Sequence, residues 1–177
     1  MRVRNFCALI LFASPLFAFA ATITREEAMQ AAFPGAEIQS SMVFLTDQQM
    51  KDASKISGVS VNTALVAVYK AVKDGTELGR AYLDTHVVRT KKESLLIILD
   101  STGKLKRVEV VTFLEPPEYM PPDIWYRQFD NKTLTDNLQL SHDIHPVTGA
   151  TLTAHATTDA VRRVMAIDQL LHAEKSK

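Results

Sequence analysis

The spacing of apolar positions in this chain switches repeatedly between a helical and a strand period. Residues 24–33, TREEAMQAAF, open with Thr24 and carry Glu27 three places on. The threonine can accept from a free backbone N–H while the glutamate reaches back, a capping box that starts a short helix. Pro34-Gly35 ends it. AEIQSSMVFL reads as a strand, and Thr46 with Gln49 repeats the start signal for a second short helix. TALVAVYKAV and ELGRAYLDTHVV are strand-like runs joined by KDGT. The Asp74-Gly75 pair there marks a hairpin, because the tight turn needs positive φ. ESLLIILD and LKRVEVVTFL form a second hairpin about STG. Alternation in its second arm predicts Val108, Val110 and Thr112 on one face, with Arg107, Glu109 and Val111 on the other. Residues Leu95 to Leu99 are apolar at every position, which predicts a central strand covered on both sides.

The run EPPEYMPPDIW cannot continue a sheet, because proline offers no N–H to a ladder. It predicts an extended loop leading into a short helix around Trp125 to Phe129. NKTLTDNLQL is irregular or a short helix. The chain then predicts its longest helix, from about Thr153 to His172. Ala156, Ala160, Val164, Ile167 and Leu171 form its apolar stripe, while Arg162, Arg163 and Gln169 face elsewhere. The expected architecture is α+β: a mainly antiparallel sheet packed against a long C-terminal helix, with short N-terminal helices.

The first twenty residues change the picture of where this chain works. MRVRNFCALILFASPLFAFA has Arg2 and Arg4, an apolar run, and a small-x-small end at Ala18-Phe19-Ala20. That is the layout of a secretory signal peptide cleaved after Ala20, which leaves residues 21–177 as one domain exported to the periplasm. An uncleaved membrane anchor is the alternative, disfavoured by the shortness of the run and by Pro15. The only cysteine, Cys7, leaves with the leader. Disulfides, iron–sulfur clusters and thiolate metal sites are then excluded. The whole chain balances 20 Lys+Arg against 20 Asp+Glu, so loss of two arginines gives a mature charge of about −2. Bulk electrostatics therefore do not suit a nucleic-acid binder.

Between Thr148 and Thr158 the chain places five threonines, with Gly149 and Ala150 among them, immediately ahead of its best helix. The two small residues let a bulky group approach the backbone. Thr151 lies just before the expected helix start, where free N–H groups and the positive end of the dipole favour a phosphate. A hydroxyl there can hydrogen-bond a phosphate or carry one covalently. The ordinary reading is that Thr151 and Thr153 merely cap the helix.

Thr148-Gly149-Ala150-Thr151, followed by Leu152-Thr153, resembles the (Ser/Thr)-Gly-Ala-Thr motif of the FMN-binding domain family. That family includes the extracytoplasmic flavin subunits of sodium-pumping NADH:quinone reductase and of Rnf-type complexes. The resemblance extends upstream through YLDTHVVRTKKESLLIILDSTGKLKRVEVVTFLEPPEYMPPDIWYRQF. It implies that FMN is the cofactor, esterified through its phosphate to Thr151. It also implies a partner, an ApbE-type flavin transferase that uses FAD and Mg²⁺, together with redox donor and acceptor proteins. Thr148, Gly149, Ala150, Leu152 and Thr153 complete the implied cofactor-binding stretch. One position departs from the family pattern. Three places before the tetrad, where an acidic residue is usual, stands His145, and the nearest acid is Asp143.

The remaining candidates are weaker. His142, Asp143 and His145 fit no strong zinc spacing, and no metal site is expected. Asp84 and His86 share a strand face and suggest a buried pair or an exposed polar face, with a flavin-facing role for His86 as the less favoured alternative. Tyr119, Trp125, Tyr126 and Phe129 are expected to pack beneath the proline-rich loop, with Tyr119 the best single flavin contact. Glu115 and Glu118 read as solvated. Lys91, Lys92, Lys104, Lys106 and Arg107 read as a basic edge on the second hairpin. There is no nucleophile elbow, dinucleotide fingerprint or P-loop. Two other functions stay open: an interaction module of the same fold with loose or no flavin, and, remotely, a hydrolase using Thr151 or Thr153 with His155 as base.

Overall fold

A computed structural model describes residues 23–173. The leader and its cleavage point lie outside the described residues. Helix α1 (Arg25–Ala32) and helix α2 (Asp47–Ser57) each begin with the expected capping box, at Thr24/Glu27 and Thr46/Gln49. Strands β1 (Glu37–Phe44), β2 (Leu65–Lys73), β3 (Thr76–Val87), β4 (Lys92–Asp100) and β5 (Leu105–Phe113) form one antiparallel sheet in chain order. Between β2 and β3, Asp74 and Gly75 both take positive φ, 49° and 77°, the paired left-handed conformation of a type I′ turn. The proline-rich loop holds a single 3₁₀ turn at Pro117–Tyr119. Then come α3 (Asp123–Tyr126) and another 3₁₀ turn at Arg127–Phe129. Residues 130–150 are irregular apart from one isolated bridge, Leu140 to Ile144. Helix α4 spans Thr151–Ala173.

The sheet is covered on both faces, and this is why Leu95 to Leu99 are apolar without alternation. Leu95, Ile97 and Leu99 join Val66, Val68, Tyr82 and Val108 in the core beneath α4. Leu96 and Ile98 face the other way, against Ala28 and Met29 of α1 and Phe33 at its C-cap. All five residues are fully buried.

Three local expectations are corrected. A register shift between Ser94 and Leu95 pairs Leu95 with Val110 but Ser94 with Thr112. The extra residue, Val111, reverses the phase, so Thr112 lies on the α1 face rather than with Val108 and Val110. On α4, Ala160, Val164 and Ile167 are buried as the stripe requires, yet Arg162 is buried too. Its Nε donates to Ser57 O (2.7 Å) and its Nη1 donates to Thr135 O (2.8 Å) and Leu138 O (3.0 Å). It thereby fastens α4 to the negative C-terminal end of α2 and to the irregular segment. Finally, the lysines do not make one basic edge. Lys91 and Lys92 sit at the β3–β4 end of the sheet, Lys104 and Lys106 at the β4–β5 turn.

Farther along α4, Asp168 is buried and accepts from Arg80 Nε, from Arg80 Nη2 (2.8 Å) and from Tyr82 Oη (2.7 Å). This pins the helix to β3. Among the described residues no helix is long and apolar enough to cross a membrane.

Candidate functional site

Helix α4 begins two residues earlier than its apolar period suggests. Ala154 N–H already donates to Ala150 O (2.9 Å), so Ala150 occupies the cap position and Thr151 is the first helical residue. A methyl side chain cannot cap, and both threonine hydroxyls are engaged as donors elsewhere. Thr153 Oγ1, buried, donates to Tyr119 O (2.6 Å) and ties the proline-rich loop to the helix. Thr151 Oγ1, exposed, makes only a long contact of 3.4 Å to Val147 O. Among the described residues neither oxygen accepts from a helix N–H. The positive end of α4 is left open, with the Thr151 hydroxyl beside it.

The approach to the helix is held rigidly. Trp125 Nε1 donates to His145 O (2.8 Å), and His145 N–H donates to Gln128 Oε1 (2.8 Å). Trp125 itself packs edge-on against Tyr126 and Phe129, with centroids 5.2 and 5.4 Å away. These three aromatics are buried, which is the packing role expected of them. The chain then passes exposed Thr148 and turns at Gly149 with φ 86°. Among the described residues, Gly149 and its two chain neighbours apart, no heavy atom lies within 4 Å of where a Cβ on Gly149 would stand. The glycine is there for its backbone conformation, and the space above it is open.

That space is part of a cavity of about 230 Å³ lined by Val88, Arg89, Glu115, Tyr119 and Gly149 to Thr153. Three separated segments meet here: the β3–β4 turn, the proline-rich loop and the start of α4. Six of the seven proposed cofactor contacts line it, namely Gly149, Ala150, Thr151, Leu152, Thr153 and Tyr119; Thr148 stands next to it. The volume falls below the roughly 300–1,000 Å³ that enclose a drug-sized ligand, so a tricyclic ring seated here would remain partly exposed.

Glu115, expected to be solvated, is buried and organises this wall. Its Oε1 accepts from the N–H groups of Arg89 (3.1 Å), Thr90 (2.6 Å) and Lys91 (2.7 Å). The amides of Thr90 and Lys91 hold its carboxyl below the usual glutamate range. The turn so fixed carries Arg89, whose guanidinium carbon lies 5.5 Å from the Tyr119 ring centroid. Arg89 is thus a cation in the cavity wall that sequence reasoning did not select. A single Arg in a turn gives no periodic signal, and only the Glu115 bridge brings it to α4.

His142, Asp143 and His145 do not form a metal centre; Asp143 lies 3.9 Å from Lys132 Nζ, and His142 Nδ1 is 3.3 Å from Leu140 O. Among the described residues no three His, Cys, Asp or Glu side chains are arranged to hold a metal ion. Asp84 and His86 do pair, as their strand spacing suggests, with Nδ1 2.8 Å from Asp84 Oδ1.

Residues 91–166 match the family model of the FMN-binding domain. The matched stretch runs from the start of β4 through the cavity wall into α4, and it indicates FMN as the cofactor. No curated protein and no solved structure gives a significant match to the chain.

Proposed function

We propose, from the premise that residues 91–166 are an FMN-binding domain, that this chain is an exported electron carrier with FMN esterified to Thr151. The observation that carries the reading is the Thr151 hydroxyl. Thr151 is exposed, stands at the open positive end of α4 and lines the same cavity as Gly149. Residues around it suit a flavin phosphate. The first N–H groups of α4 and the Arg89 guanidinium supply positive potential, while Val88, Tyr119 and Leu152 offer apolar and aromatic surface. When bound, the flavin supplies one- and two-electron redox chemistry, and the chain supplies anchoring and electrostatics.

Attachment would be catalysed by an ApbE-type transferase. The Thr151 oxygen forms a bond to the FMN phosphorus of FAD, the pyrophosphate linkage breaks, AMP departs and the hydroxyl proton is released to it. The anchor then resists loss of cofactor outside the cytoplasm, where the leader in residues 1–20 would send the chain. Electrons would pass between a donor and an acceptor protein through the part of the ring left exposed by the shallow cavity.

The test is intact mass after co-expression with such a transferase and FAD. The chain should gain one FMN less one water, and Thr151→Val should abolish the gain while leaving the fold intact by circular dichroism. An unshifted mass in the presence of an active transferase refutes the ester. His145 in the place of the usual acid favours a second reading, in which FMN is held without the bond by the free N–H groups and Arg89. Yellow colour released by acid precipitation identifies that case.

A further inference from the structure

Farther along α4 lies a partly buried charge cluster that the proposed function does not use; Asp84, His86 and Arg163 line a second cavity, and Glu93 alone is fully buried. His86 on β3 has Nδ1 2.8 Å from Asp84 Oδ1 and Nε2 3.0 Å from Glu93 Oε2. Asp84 also receives two bonds from Arg163 of α4, at 3.0 and 2.9 Å. Glu93, fully buried on β4, has Thr157 Oγ1 3.4 Å from the same Oε2, and its Oε1 has no partner. Tyr126 Oη, from α3, is buried without a partner as well. Burial and the charges of Glu93 and Asp123 hold that phenol protonated. The charged groups facing the imidazole are therefore Asp84 from β3, Glu93 from β4 and Arg163 from α4.

The sum of these charges decides the state of the cluster. Two carboxylates and one guanidinium leave one negative charge in a partly buried place unless His86 carries a proton, and uncompensated charge away from water is costly. Burial by itself lowers the imidazole pKa, but hydrogen bonds to Asp84 and Glu93 overcome it and push it up to about 9. Thr157 lies one helical turn below Thr153, which lines the cavity, and residues four apart on a helix are about 5–6 Å apart. A change of unit charge here is felt in the site, because partly buried charges are screened less than exposed ones.

We propose that the Asp84–His86–Glu93 cluster sets the reduction potential of the flavin through the proton on His86. This rests on the flavin reading of the cavity above. With the proton in place the cluster is neutral and adds no opposition to placing an electron in the site. Without it the cluster bears one negative charge and electron uptake is disfavoured.

The experiment compares flavin-loaded wild type with His86→Gln by equilibration against a redox dye from pH 6 to 10.5. At pH 7 wild type should be the easier to reduce, on the order of tenfold in the equilibrium constant, the size of a unit-charge interaction of about 1.4 kcal/mol. The difference should close as pH passes about 9. A second readout needs no flavin: in unloaded Thr151→Val, the His86 imidazole should titrate near pH 9 by NMR, and Glu93→Gln should bring that midpoint down. A wild-type-to-variant difference that is constant across pH, or an imidazole titrating near 6.5, overturns the inference and leaves the flavin reading standing. A chain that takes up no flavin in any form overturns both.

Discussion

Asp168→Asn isolates what the buried anchor of α4 contributes. In the native chain Arg80 and Asp168 are 3% and 2% exposed, and the carboxylate receives two guanidinium bonds and the Tyr82 hydroxyl. The amide keeps the shape and one acceptor oxygen but presents an NH₂ group to donors. It leaves the guanidinium charge buried without its counter-ion. Removing one partner of a buried pair costs about 3–5 kcal/mol. Glu77, 3.1 Å from Arg80 Nη1 and partly exposed, offers limited compensation and places the expectation near the lower figure, about 3 kcal/mol. Against a total of roughly 5–15 kcal/mol this is a large share. For a chain of this length it corresponds to a drop in Tm of about 6–12 °C. Urea unfolding followed by circular dichroism, with a thermal melt alongside, measures it. Arg80→Met/Asp168→Leu should recover part of the loss, because replacing both ions by apolar side chains removes the uncompensated charge while leaving the Tyr82 hydroxyl without its acceptor. A loss under about 1 kcal/mol for Asp168→Asn, with the fold intact, would mean that water or Glu77 satisfies Arg80 and that α4 is anchored by packing alone.

Four further outcomes are expected. Glu115→Gln should raise hydrogen exchange at the amides of Arg89, Thr90 and Lys91 and lower flavin loading, because the neutral side chain releases the turn that carries Arg89. Glu115 has a depressed folded pKa, so its stabilisation is present above the ordinary carboxyl value of 4.5 and is lost as pH falls through the lower folded value. Wild-type protection of those amides should fade in the same acid range. Thr153→Val should lose about 1 kcal/mol in urea unfolding and loosen the proline-rich loop to proteolysis, because Tyr119 O loses its donor. For His86 the sign is opposite: a raised folded pKa gives stability that is complete below pH 6.5 and is lost as pH rises through about 9, and His86→Gln should flatten that slope in urea midpoints.

Local chemistry was legible wherever a few adjacent residues decide the outcome. Both capping boxes, the Asp74-Gly75 hairpin and the two-sided burial of Leu95 to Leu99 follow from spacing and turn stereochemistry alone. The open space over Gly149 likewise accords with the small side chains there. Tertiary structure decided the rest. The helix start at Thr151 depends on Ala150 taking the cap position, although no side chain there signals it. Arg162 is buried because α2 and residues 135–138 happen to aim three carbonyls at it. The bulge at Val111 reverses a strand phase that alternation alone reads straight through. Above all, the cavity exists only because Glu115 ties the β3–β4 turn, and Thr153 the proline-rich loop, to segments far away in the chain. Sequence patterns report short-range geometry and periodic burial. A wall made from single residues on three distant segments has no period, and only the folded chain brings it together.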